Sequence, residues 1–159
     1  MKIRGKHLQE GGMVLQLQMT TDYALRMLVD LAVQQRIVSS TELSERLAIP
    51  VKYVLQVGRK LKANGFVHTV AGSKGGYTLA GPPEKITVYD VLVTFEGTIK
   101  INRCLEPDGY CSRDAVASCA VHHFFGEVQN SLEKNLKSET LANLLVKSIG
   151  EPGKEIGKI

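Results

Sequence analysis

The stretch VKYVLQVGRKLKANGFVHTVAGSKGGYTLA, Val51–Ala80, decides the fold. Its first half repeats apolar residues at three- and four-residue intervals, the period of a helix with one buried face. Val51, Val54, Leu55, Gly58 and Leu61 are expected to face inward, and Lys52, Tyr53, Gln56, Arg59, Lys60 and Lys62 outward. Asn64-Gly65 supplies a C-terminal stop. After it, FVHTV and GYTLA carry β-prone residues on either side of AGSKG, which predicts a β-hairpin with a glycine-rich turn.

Working upstream, Pro50 suits the first position of this helix, where its missing N–H costs nothing. Before it, SSTELSERLAI places Ser39 and Glu42 at capping-box spacing, with Leu43 and Leu47 as a buried face. Before that, Ala24, Met27, Leu28, Leu31 and Ala32 make one apolar stripe on a longer helix. Two short helices in a row followed by a basic hairpin make a winged helix-turn-helix. The second of the pair is then expected in a major groove, with the hairpin as a wing beside it.

Charge agrees with that geometry. The net charge of +4 says little alone, but Val51–Pro83 contains no acid while holding Lys52, Arg59, Lys60, Lys62 and Lys74. One-signed local charge is the footprint of a nucleic-acid surface; a solvated helix face is the plainer alternative. On the first reading Lys52, Tyr53 and Gln56 reach base edges. Arg59, Lys60 and Lys74 contact phosphate, with Ser73 and Gly75 flanking Lys74 in the wing turn. The expected partner is a double-stranded DNA operator.

Downstream, a short helix is expected to start near Thr87, with Asp90 accepting its first N–H groups. A loop without periodicity follows. Beyond it Val121, Phe124, Phe125, Val128, Leu132 and Leu136 form the stripe of a long helix. Such a stripe outside a compact winged core needs a covering surface, and a second copy in a homodimer is the simplest one; packing within one chain is the alternative. SETLANLLVKS is expected to fold back on the first long helix. The fold class is therefore mainly α with a small β-hairpin wing: a winged helix-turn-helix plus a long dimerisation helix. The expected division is a disordered tail at 1–14, the DNA-binding domain at 15–82, a cysteine loop and dimerisation helices at 83–148, and a flexible tail at 149–159.

The loop CLEPDGYCSRDAVASC, Cys104–Cys119, holds all three cysteines of the chain. No apolar run approaches the roughly eighteen residues of a membrane span. MKIRGKHLQEGGM lacks the apolar segment of a secretory signal. A cytoplasmic location is expected, where thiols stay reduced. Thiolates are soft donors that select iron–sulfur clusters, zinc or copper(I). The six and seven residues between successive cysteines lack the close pair usual in structural zinc sites. Wide spacing suits a larger object wrapped by the loop, such as a cluster. A zinc-stabilised or thiol-redox regulator is the alternative, and chance clustering the plain one. No CxxC, nucleotide loop or base beside a cysteine suggests an enzyme.

Together, TTDYALRMLVDLAV, LKANGFVHTVAGSKGGYTLAGPPEKITVYDVL, the cysteine loop and SETLANLLVKS resemble the Rrf-two (Rrf2) family of bacterial winged-helix regulators, in its IscR- and NsrR-like cluster-binding branch. The resemblance covers Leu15–Ser148. It implies a homodimeric transcription regulator, expected to be a repressor, whose DNA affinity follows an iron–sulfur cluster sensing nitric oxide, redox or iron–sulfur status. It also implies that Cys104, Cys111 and Cys119 are metal ligands. The fourth ligand is open. TDYALR resembles the pattern in which an aspartate of the partner subunit, here Asp22, completes a four-iron cluster. CAVH resembles the pattern in which a histidine, here His122, holds a two-iron one. The longer string favours Asp22 and the 4Fe-4S form over 2Fe-2S. A helix N-cap is the structural alternative for Asp22, and a surface histidine for His122. His123, His68 and His7 are expected to be solvated or poorer candidates. This chain departs from the family in its cysteine spacing, commonly five residues, and in having Ala71 where the wing commonly carries arginine.

Overall fold

The computed structural model describes residues 16–149; the tail expected at 1–14 and, apart from Ile149, the one expected at 149–159 lie outside them. Within them the chain runs α1 (Met19–Gln34), α2 (Ser40–Leu47), α3 (Val51–Ala63), β1 (Val67–Val70), β2 (Gly76–Leu79), α4 (Val88–Glu96), α5 (Ala120–Ser138) and α6 (Leu141–Ile149). The strands form one antiparallel hairpin, with Val67 opposite Leu79 and Val70 opposite Gly76. This is the expected mainly helical, winged architecture.

The apolar stripe of α1 is buried throughout and forms the centre of the core. Against it pack Leu43 and Leu47 of α2, Val54, Val57 and Leu61 of α3, Phe95 of α4 and Leu141 of α6. Each such side chain contributes about 1.5–3 kcal/mol on burial. A charged clasp adds to the α1–α2 pairing. Arg46 Nη2 and Nε donate to Asp30 Oδ1 at 2.7 and 3.0 Å, and Asp30 is otherwise buried.

Three local details differ from the sequence pattern. Pro50 is the residue before α3 rather than its first member, and Val51 takes the first place. Ser39 accepts from Glu42 N–H at 3.1 Å, but the Glu42 carboxylate turns to Arg36, so only half of the capping box forms. The largest difference is the register of α3. Val54, Val57, Gly58 and Leu61 are buried, whereas Val51 and Leu55 are exposed.

Gly58 explains that register. A Cβ there would lie 2.5 Å from the ring of Tyr77, so only glycine lets β2 press onto α3. The wing is also tied to the α1–α2 connection. Val38 N–H donates to Tyr77 O at 2.9 Å and Tyr77 N–H to Val38 O at 2.8 Å. The wing is therefore held on two sides rather than carried by its own two strands, which alone would be marginal.

Thr87 and Asp90 complete a reciprocal capping box at the start of α4. The α6 start is fastened to the same place, with Val88 N–H donating to Glu139 O at 2.8 Å and Leu141 N–H to Ile86 O at 2.9 Å. That brings α6 back against α1, as expected. α5 is different. Gln129 is its one buried residue, and Val121, Phe124 and Val128 of its stripe are exposed. Within the chain α5 packs mainly on α4 and on the short helical turn Arg103–Leu105.

Candidate nucleic-acid interface and thiol site

The burial of Val54, Val57, Gly58 and Leu61 leaves the opposite face of α3 to solvent. Lys52, Gln56 and Arg59 share that face, with Leu55 beside them. Their neighbours Tyr53 and Lys60 lie on its flank. Tyr53 is half-buried and tilted against Tyr23, ring centres 5.9 Å apart, with Lys52 Nζ 4.9 Å from its ring centre. Lys60 leans towards α4, its Nζ 3.4 Å from Phe95 O and 4.9 Å from the Phe95 ring centre. Arg59 also bears on Tyr77, whose hydroxyl burial holds above the usual range of a phenol while the Arg59 charge opposes the shift.

Ser73 and Lys74 stand exposed at the wing turn, which Gly75 N–H closes onto Gly72 O at 2.9 Å. Between the wing and the start of α2 runs a cleft of about 350 Å³, edged by Ser39, Ser40, Thr41, Ser73 and Gly75. Hydroxyls and backbone line it, and Lys74 stands at its rim by sequence. Arg59 of α3 lies near enough to Tyr77 of the wing for its charge to act there, and Val51–Pro83 holds no carboxylate to oppose its cations.

The thiol loop follows the end of α4 at Gly97. Cys104 lies in the turn Arg103–Leu105, and Cys119 directly precedes α5. Cys111 lies between them in a stretch that no regular element supports. All three thiols are free and half-buried. His122 Nδ1 lies 3.3 Å from Cys104 Sγ. The neighbouring His123 turns instead to Ala117 O at 3.1 Å. Backbone N–H groups of Ala115, and then Arg113, point at the Cys111 thiol and hold it below its usual range, which favours the thiolate.

Asp22 does not cap α1; it lies in the first turn and pairs with Arg26 at 2.7 Å, both half-exposed. The structure therefore brings His122 to one cysteine, and Asp22 to an arginine. Among the described residues no three His, Cys, Asp or Glu side chains converge closely enough to hold a single metal ion. The donor set still suits a soft metal centre: three thiols on one loop, one of them already beside an imidazole, and one biased towards its anion. His68 is exposed on β1, and His7 lies outside the described residues.

One positioning residue has no signal in the sequence. Gln129 Oε1 accepts from Ile101 N–H at 2.9 Å, and its amide donates to Ile99 O at 3.3 Å. Glu133 then takes Lys100 at 2.5 Å and Lys137 at 2.9 Å. These contacts pin the strand of loop leading to Cys104 onto α5. A glutamine within an amphipathic helix reads as surface; its partners lie about thirty positions away in sequence, too far for a local pattern to show.

A helix-turn-helix with a basic wing, reading helix outermost, defines a DNA-binding transcription regulator. The chain belongs to the Rrf2 family: residues 17–147 match the family described as "Rrf2: Iron-dependent Transcriptional regulator". Protein rrf2 of Nitratidesulfovibrio vulgaris is 34% identical over 125 residues, which span 77% of this chain and 82% of that protein. Among solved structures, IscR of T. potens shares 27% identity at a TM-score of 0.67, covering 88% of this chain and 92% of that one. CymR, the global cysteine regulator of B. subtilis, has a TM-score of 0.71 at 23% identity, covering 84% of this chain and 98% of that one, which is a likeness of fold. Among the described residues no helix is long and apolar enough to cross a membrane.

Proposed function

We propose that this regulator is a cytoplasmic homodimer whose affinity for a double-stranded operator follows the state of an iron–sulfur cluster held by Cys104, Cys111 and Cys119, and that it acts as a repressor. The observation that carries the proposal is the Cys104–His122 contact at 3.3 Å, at the base of a helix on which Val121, Phe124 and Val128 are exposed. His122 is the fourth donor that one chain offers, which supports a 2Fe-2S centre. Asp22 of the partner subunit is the other candidate, for a 4Fe-4S centre, and its Arg26 ion pair would have to open. A bound cluster supplies iron that reacts with oxidants or nitric oxide, most readily at the non-thiolate corner.

The protein's own part is positional. Gln129 and Glu133 hold the approach to Cys104, and α5 offers Val121, Phe124 and Val128 to a second copy. On the DNA side, Lys52 and Gln56 face base edges with Tyr53 at their flank, and exposed Val51 and Leu55 add apolar surface of the kind that meets a thymine methyl. Arg59, Lys60, Ser73, Lys74 and Gly75 meet the backbone. Gln56→Ala is expected to relax preference at one half-site position by about 1–3 kcal/mol, measured by competition among duplexes.

Anaerobic purification with absorption spectra and iron and sulfide analysis tests the cluster. Coloured protein with both elements supports it, and colourless zinc-bearing protein rejects it. His122→Ala should make a two-iron centre labile, whereas Asp22→Ala should do so for a four-iron one. A thiol-redox regulator without a cluster, zinc-stabilised or metal-free, is the second reading. The lowered thiol of Cys111 favours it, because thiolate is the reactive form.

A further inference from the structure

α4 ends where the thiol loop begins, and its last turn touches two other helices. Glu96 Oε1 accepts the N–H of Gln18 at 2.9 Å and the hydroxyl of Thr21. α1 has no side-chain cap of its own at Gln18. A carboxylate from α4 therefore terminates α1, and favours its N-terminal dipole end. Thr21, which makes the second contact, is fully buried. One residue earlier, the carbonyl of Phe95 is met by Lys60 of α3 at 3.4 Å, and the Lys60 ammonium stands over the Phe95 ring. The Phe95 ring belongs to the core, so it cannot turn without disturbing what packs on it.

The next residue, Gly97, ends α4 and opens the loop that leads to Cys104. Two helices of the DNA-binding half thus hold the two residues on which the thiol loop is hinged. At its other end this strand is fixed to α5 through Gln129. A rearrangement around the cysteines that rotates the last turn of α4 shifts Glu96 and Phe95 together. It then acts on the start of α1 and on the flank of α3 at once. Lys60 has two places to go: the α4 carbonyl, or outward to the side where Lys52 and Arg59 stand.

We infer that the Phe95–Glu96 turn is the joint between the thiol loop and the reading helix, with Glu96 and Lys60 as its positioning residues. The inference rests on the reading of the loop as the sensing element. Coupling of this kind is an energy shared between two sites, and it acts in both directions.

Hydrogen–deuterium exchange on the full chain tests it, comparing metal-free reduced protein with protein reconstituted anaerobically with ferrous iron and sulfide. In the unsubstituted protein, reconstitution should slow exchange in 97–119 and alter it in 51–63. Glu96→Ala and Lys60→Met should keep the loop response and lose the α3 response, by about fivefold or more. Glu96→Gln retains an oxygen that can accept both α1 donors, and should keep the response. An α3 response in Glu96→Ala equal to that of the parent overturns the joint, as does a parent whose loop responds while α3 does not. A parent loop that ignores iron and sulfide counts against the cluster instead. The joint is then read in metal-free protein, where Lys60→Met should quicken exchange across 94–101; unchanged exchange there overturns it whatever the loop binds.

Discussion

Tyr77 and Phe124 are both aromatic residues on amphipathic elements, and they end in opposite surroundings. Tyr77 is 8% exposed, wedged over Gly58 and tied by its backbone to Val38. Phe124 is 58% exposed on α5, with the ring of Phe125 beside it. The same contrast separates the two halves of the molecule. In the winged half, every helix sends apolar side chains into one core, and the wing is held from two sides. In the thiol half, α5 buries a glutamine and leaves Val121, Phe124 and Val128 of its stripe exposed. A single chain thus completes the core of its winged half and leaves those three side chains of α5 exposed. Rigid presentation of a reading helix keeps its side chains in register with a groove, and an element with few buried apolar contacts has lower local stability.

The sharpest way to break that contrast is to empty one position in each half. Leu61→Ala, in α3 and fully buried, is expected to cost about 2–5 kcal/mol in denaturant unfolding. A cost near zero would mean that the winged half is not the stable one. Gly58→Ala should come next, at about 1–3 kcal/mol, because the new methyl meets the Tyr77 ring. Adding Tyr77→Leu should recover part of that loss; an additive double variant would show that the two residues do not press on each other.

Phe124→Ser is expected to change the stability of an isolated chain by less than about 0.5 kcal/mol, as for an exposed position. It should nevertheless shift sedimentation from dimer towards monomer. A variant as dimeric as the parent would remove α5 from the interface. The smallest effect concerns the tether of the thiol loop. The Lys100 ammonium, followed by Lys137 and Gln129, holds the Glu133 carboxyl down to about 2. A depressed carboxylate contributes stability that is complete above its ordinary value of 4.5 and is lost as pH falls towards 2. Exchange protection of 99–105 should therefore weaken over that window in the parent, and show no such step in Glu133→Gln.

Much of this was legible in the chain itself. Periodicity located α1, α2, α3 and α5, because buried faces recur at the helical repeat whatever they pack against. A glycine-rich turn between two short β-prone runs located the wing. Clustering of the cysteines marked the thiol loop, and the pair Thr87 and Asp90 marked the start of α4 through purely local bonds.

The rest required the third dimension. Val51, Val54, Leu55 and Gly58 form one set at spacings of three and four residues, and Val54, Val57, Gly58 and Leu61 form another. Both satisfy the period, so the sequence by itself settles that α3 is amphipathic and not which set is buried. Tyr77 on Gly58 decides it, through a contact that chain folding alone creates. The resemblance singles out His122 over His123, but only the folded loop decides that its ring meets Cys104 while His123 turns to Ala117. Glu96 and Gln129 carry no local signal at all, because their partners are brought from 78 and 28 residues away. Local periodicity fixes which elements form, since it acts within a few turns; which face is covered, and by whom, is fixed only where distant elements meet.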